Sequence, residues 1–220
     1  MKPFLERIKE GRPLLADGAT GTLLHARGVP FDDCFERYNL ARPELVREIH
    51  EAYVVAGAEI IETNTFGANR LKLAEHGLED QLEMINRAGV ELAQNAIAAN
   101  RLDAVYVAAS VGPLGVSVQP NGRLKQEDAR ALYAEQLGVL VSTQPDAILF
   151  ETFTDLNEAL LALSVAREVA PGIPVICEMT FGQDYRTLSG HLPGVVARQL
   201  HEAGADGIGV NCSAGPSHIS

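Results

Sequence analysis

Ala104-Val105-Tyr106-Val107-Ala108-Ala109-Ser110-Val111-Gly112-Pro113 is the stretch on which the fold turns. Its apolar residues run on almost without a polar alternate, as expected of a strand buried on both faces, and the run stops at Ser110-Val111-Gly112-Pro113. Five further apolar runs end the same way. They close on Asp17-Gly18-Ala19-Thr20-Gly21-Thr22, Glu62-Thr63-Asn64-Thr65-Phe66-Gly67-Ala68-Asn69, Glu151-Thr152-Phe153, Glu178-Met179-Thr180-Phe181 and Asn211-Cys212-Ser213. This reading places strands near 13–17, 59–65, 104–111, 147–153, 174–181 and 207–212, separated by helices near 43–56, 80–100, 125–143, 155–170 and 193–203.

The helices carry their own signals. In residues 43–56 the apolar Leu45, Val46, Ile49, Ala52, Tyr53 and Ala56 fall on one helical face, Pro43 sits in the first turn and Gly57 follows the end. The junction Ala56-Gly57-Ala58-Glu59 is echoed by Ala203-Gly204-Ala205-Asp206, as a repeated βα unit would leave it. Strict alternation implies an α/β fold with a parallel sheet covered on both faces. An open doubly wound sheet and a closed (β/α)8 TIM barrel both satisfy it. Polar clusters at the end of every strand favour the barrel, because an open sheet concentrates function at one switch point. The count is about six βα units where a barrel needs eight. The expectation is therefore one barrel domain over residues 1–220, incomplete at its C-terminus.

Composition narrows the function classes. The chain has 220 residues and a net charge of −11, from 18 basic and 29 acidic residues. With no basic cluster, nucleic acid is not an expected partner. No apolar segment has signal-peptide or membrane-span length, so no membrane association is expected. Cys34, Cys177 and Cys212 are odd in number and widely spaced, which suits a reducing cytoplasm.

Within the strand-end clusters, a few residues point to chemistry. Asp17 can hold an ammonium group or cap its own turn, and the small residues Gly18 and Ala19 let a ligand approach backbone N–H groups. Glu151 interrupts an apolar strand, where an unpaired carboxylate is costly, so it needs a cation, a donor or water. Glu178 is assigned a structural role. Cys212 follows Asn211 at a strand end, which favours exposure, whereas Cys34 and Cys177 are expected to pack as small apolar groups. No histidine or lysine falls at a predicted strand end, which counts against a histidine-ligated metal barrel and a Schiff-base aldolase. No nucleotide-binding glycine motif is present.

Taken in order, Asp17-Gly18-Ala19-Thr20-Gly21-Thr22, Glu62-Thr63-Asn64-Thr65-Phe66-Gly67-Ala68, Ser110-Val111-Gly112-Pro113, Phe150-Glu151-Thr152-Phe153, Met179-Thr180-Phe181 and Gly209-Val210-Asn211-Cys212-Ser213 resemble the motifs of the homocysteine-binding domain of homocysteine S-methyltransferases. Gly67 makes the second motif look more like the methionine synthase branch than the betaine-dependent one. The resemblance implies methyl transfer to the thiol of L-homocysteine, giving methionine, at a zinc ion held by three cysteine thiolates. Cys212 matches the first of these. The other two come, in the family, from an adjacent cysteine pair that these 220 residues lack, which fits the missing units and leaves the zinc site incomplete.

The resemblance further implies that Asp17 and Glu151 hold the substrate ammonium, that the Gly18 and Ala19 amides receive its carboxylate, and that Asn211 joins the substrate site. The methyl donor implied is methylcobalamin, methyltetrahydrofolate or S-methylmethionine, and the resemblance allows a downstream cobalamin, folate or reductase domain. Two other readings stay open: a non-catalytic truncated barrel, and a carboxylate-binding barrel enzyme with Cys212 as a covalent nucleophile.

Overall fold

The computed structural model describes residues 2–100, 105–213 and 215. Its centre is one parallel sheet of five strands: β1 (Ile60–Glu62), β2 (Tyr106–Val111), β3 (Ala147–Phe153), β4 (Val175–Met179) and β5 (Gly207–Val210). The spatial order follows the chain order without reversal. A doubly wound sheet reverses at its switch point, so the described strands are singly wound, each crossing to the next neighbour. Ala104, the first residue of the strand expected at 104–111, lies outside the described residues.

The strand expected at 13–17 is reduced to a single parallel bridge, Ala16 to Ile60. Pro13 has no N–H to donate and the chain leaves the sheet at Asp17-Gly18, so too few residues remain for a ladder. The Asp17 amide still donates to the Ile60 carbonyl at 2.9 Å, which ties this segment to the sheet edge.

The helices α1 (Phe4–Ile8), α2 (Thr20–Ala26), α3 (Tyr38–Ala41) and α4 (Pro43–Val55) precede β1, the short α5 (Arg70–Ala74) follows it, and each long crossover is helical: α6 (Leu82–Ala99), α7 (Gln126–Ser142), α8 (Leu156–Val169) and α9 (Pro193–Glu202). The expected junction glycines act as stops, with φ of +101° at Gly57 and +92° at Gly204. Alternation sorts the strand residues into two faces. Val107, Ala109 and Val111, with Ile148 and Phe150 and with Val175, Cys177 and Met179, join the main apolar core with the helices. The opposite face begins with Ile60, Tyr106, Ala147 and Ile176. It is closed at its lower end by Phe4 of α1 (Phe4–Ile8), whose ring meets Tyr106 edge-on at 5.1 Å. No helix among the described residues is long and apolar enough to cross a membrane.

One buried group works against this stability. His50 of α4 is fully buried, neither ring nitrogen has a hydrogen-bond partner, and burial pushes its pKa down to about 4. The folded value lies below the ordinary 6.5, so protonation favours the unfolded chain. Its stability contribution is whole above pH 6.5 and falls as the pH drops towards 4, by about 3 kcal/mol at 1.36 kcal/mol per unit. His50→Leu is expected to flatten that acid slope and to stabilise the protein at pH 7 by about 1 kcal/mol or more, since two orphaned polar atoms disappear. Urea unfolding at pH 7 and pH 5 checks both; an unchanged pH slope would contradict it.

Candidate active site

Above its apolar floor, the inner face of the sheet turns polar. Glu62 ends β1, Ser110 lies near the end of β2, Glu151 near the end of β3, Glu178 in β4 and Asn211 just past β5. The side-chain period of two puts Glu178 on the face of Ile176, opposite Cys177 and Met179. A methyl group on Gly209 would lie 3.0 Å from Glu178 Oε1, which places this carboxyl against the neighbouring strand on that same face. The structural role expected for Glu178 is thus incomplete.

Glu151 is held by two donors, the Ser110 hydroxyl and Asn211 Nδ2, the latter at 3.1 Å. Asn211 also donates to Thr152 Oγ1 at 2.9 Å and accepts from the Thr152 amide at 2.9 Å. Between Phe150 and Phe153 the β3–β4 register slips, and Thr152 has φ +62°, a conformation costly for a β-branched residue. The Asn211 bracket holds this bulge, so the expected Glu151 and Asn211 do meet, across two strands.

Asp17 completes the group. Its Oδ2 accepts from the Glu62 amide at 3.1 Å, while its Oδ1 is buried with no hydrogen-bond partner. Burial, with the Glu151 charge adding to it, pushes the Asp17 pKa up to about 7. Glu62 rises further, to about 9, through burial and then the charges of Glu151, Asp17 and Glu178. Burial raises Glu151 too, against the lowering effect of Ser110, Asn211 and Lys72, and Glu178 is raised by burial and by Glu151. Four carboxyl groups therefore share one mouth, two more than the sequence reading chose. Gly18 and Ala19 are exposed beside Asp17, and no acceptor for either amide is present among the described residues.

The loop after β1 is fastened from below by buried amides and hydroxyls. Thr65 Oγ1 donates to the Ser110 carbonyl at 2.7 Å, Asn39 Nδ2 to the Asn64 carbonyl at 2.8 Å and Gln136 Nε2 to the Thr65 carbonyl at 2.9 Å. Gly89 of α6 lets this network approach: a methyl group there would lie 2.5 Å from Thr65 Cγ2 and 2.8 Å from Asn39 Nδ2. Gly89→Ala is expected to destabilise the protein by about 2 kcal/mol, because overpacking of about 1–3 kcal/mol and a disturbed buried network outweigh a helix gain of at most about 1 kcal/mol. Thermal unfolding tests this, and a raised melting temperature would refute it.

The three cysteines separate cleanly. Cys212 is exposed just past β5, with φ +45°. Cys34 is buried and donates to Glu36 Oε2 at 3.4 Å, and burial pushes its thiol up to about 12. Cys177 is buried in the outer core and is likewise pushed up to about 12. Among the described residues no group of three or more histidines, cysteines or carboxylates is arranged to hold a metal ion. By the chemistry of their donors, the described residues offer a thiophilic metal such as zinc one accessible sulfur, Cys212, and no group among them completes a tetrahedral site with it.

Fold and site together define an α/β protein whose strand ends gather buried carboxyls, free amides and one exposed thiol. The homocysteine S-methyltransferase family matches residues 14–220, and the chain belongs to that family. It is 31% identical to the methionine synthase of Mycobacterium tuberculosis over 95% of this chain and 18% of that protein. It is 32% identical to betaine–homocysteine S-methyltransferase 1 of Danio rerio over 96% of this chain and 52% of that protein. The chain thus spans about a fifth of one curated relative and about half of the other. In structure it is similar to the metallated form of the homocysteine methyltransferase MmuM from Escherichia coli, with a TM-score of 0.82 and 26% identity over 96% of this chain and 78% of that one.

Proposed function

We propose that residues 1–220 form the homocysteine-binding part of an enzyme that transfers a methyl group to the thiol of L-homocysteine, giving methionine. The observation that carries this is the buried, unpartnered Asp17 Oδ1 among the carboxyls of Glu62, Glu151 and Glu178, an arrangement that calls for a cation. An α-ammonium group supplies one. Asp17 and Glu151 receive it, the exposed Gly18 and Ala19 amides receive the α-carboxylate, and Asn211 keeps Glu151 in place. Glu62, raised to about 9, stays protonated at neutral pH and avoids adding a further charge.

Cys212 is the thiolate this chain contributes to zinc, with the remaining ligands outside the described residues. Zinc, when bound, keeps a thiol deprotonated at neutral pH. The chain's own residues anchor the amino acid so that its sulfur reaches the mouth. There a new S–C bond forms as the donor's bond to the methyl group breaks, and its electron pair leaves with the donor. The singly wound sheet is read as part of a (β/α)8 barrel in a cytoplasmic protein. The donor is methylcobalamin or methyltetrahydrofolate presented by a further domain, or S-methylmethionine.

The test is to incubate the intact protein with L-homocysteine and each methyl-labelled donor in turn, and to detect labelled methionine by mass spectrometry. One donor is expected to give product. No product from any donor, together with no homocysteine binding by calorimetry, would overturn the reading.

A further inference from the structure

A cleft of about 510 Å3 opens beside the mouth, between the loop after β2 and the loop after β4. Pro113 and Thr154, three residues beyond Ser110 and Glu151, stand in its wall, so it continues from the candidate site. Its size suits a small organic ligand. Glu158 of α8 lines the cleft although it is only 7% exposed. Its Oε1 accepts from the Leu114 amide and the Tyr133 hydroxyl, each at 2.8 Å, and its Oε2 has no hydrogen-bond partner among the described residues.

Asp155, one turn earlier on the same helix face, lines the cleft as well. It accepts from the Asn157 amide at 2.9 Å and the Ser189 hydroxyl at 3.1 Å, with Asn121 Nδ2 at 3.5 Å. Every one of these donors is neutral. The nearby cations are engaged elsewhere: Lys72 of α5 lays its alkyl chain against Gly115 at the cleft wall, but its ammonium sits 4.4 Å from the centre of the Phe66 ring, and Arg186 donates to the Gly190 carbonyl at 2.8 Å. A buried carboxylate with only neutral donors is costly, and a cation entering the cleft relieves that cost. Val116 and Leu188, both exposed in the cleft wall, offer apolar surface to the body of a ligand.

We propose that this cleft anchors the methyl donor, and that the donor it takes is a small molecule bearing a primary ammonium group, held by Glu158 Oε2 and Asp155 while its methyl-bearing end reaches past Pro113 and Thr154 to the mouth. Carboxylate and hydroxyl oxygens call for N–H donors, which a primary ammonium has and a quaternary one lacks. Size and charge decide against the other donors. A corrin ring is too large for the cleft, and the carboxylates of methyltetrahydrofolate would meet two carboxylates of the protein. The donor part of the inference rests on the homocysteine reading above; the ammonium site itself does not.

The test uses the intact protein with S-methylmethionine as probe, by calorimetry without homocysteine and by initial rates with it. Glu158→Gln and Asp155→Asn keep acceptors for the Leu114 and Asn157 amides, and thermal unfolding confirms that both are folded. Each is expected to raise the Kd and KM of S-methylmethionine about 10-fold or more, with the KM of L-homocysteine unchanged. An analogue of S-methylmethionine without its amino group is expected to bind wild type and variants equally. Ser117→Trp, which fills the cleft from an exposed position, is expected to block S-methylmethionine. Unchanged S-methylmethionine affinity in the two folded carboxyl variants overturns the proposal, as does turnover sustained by methylcobalamin or methyltetrahydrofolate with no binding of S-methylmethionine. If L-homocysteine does not bind while S-methylmethionine still follows Glu158 and Asp155, the homocysteine reading fails and the ammonium site stands.

Discussion

Replacing Cys212 with alanine is expected to abolish methyl transfer and stoichiometric zinc together in the intact protein. Cys212 is the exposed sulfur of the mouth, whereas Cys34 and Cys177 are buried and held as neutral thiols, with pKa values pushed up to about 12. Neither can substitute, because the ligand form of cysteine is the thiolate. A structural zinc site closes on four ligands, and a catalytic one keeps three from the protein, so losing one sulfur leaves too few donors to retain the ion. The measurement is metal content per chain beside methionine formation. One zinc per chain in Cys212→Ala would show that the thiol is not a ligand, and full turnover would show that it has no catalytic part.

The second large effect is expected at Glu151. Glu151→Gln removes the charge while keeping a side chain that Asn211 and Ser110 can still engage. Losing a charge-assisted hydrogen bond to the substrate ammonium costs about 1.5–3 kcal/mol, roughly 10- to 150-fold in Kd. An analogue of homocysteine without its amino group is expected to bind wild type and variant equally. The pH dependence follows from Asp17: with a pKa near 7, it must release a proton to accept the ammonium, so homocysteine binding weakens as the pH falls through about 7 and proton uptake accompanies dissociation. Turnover lost with homocysteine affinity intact would instead assign Glu151 to proton transfer.

Glu62 and Glu178 illustrate why part of this site escaped the sequence reading. Glu62 follows the apolar Ile60-Ile61 at the strand end much as Glu151 follows Leu149-Phe150, so the same signal was present at both positions. For Glu178, the flanking Cys177 and Met179 obscured its direction. Counting by two from Ile176 puts it on the inner face, and only the folded sheet brings it into the field of Glu151 and Glu62.

By itself, the sequence determined the alternation of strands and helices, the family and the order of the strand-end motifs. The alternation follows from local periodicity and capping, and the family from the resemblance carried by the ordered motifs, both of which a linear reading contains. The tertiary structure alone decided that Ala16 makes only a bridge, that His50 is sealed without a partner, and that Lys72 stands over Phe66 beside the mouth. It also decided that Asp17 and Glu62 join Glu151 as one electrostatic group. Each of these depends on register, burial and through-space distance between residues tens of positions apart, quantities that no local pattern specifies.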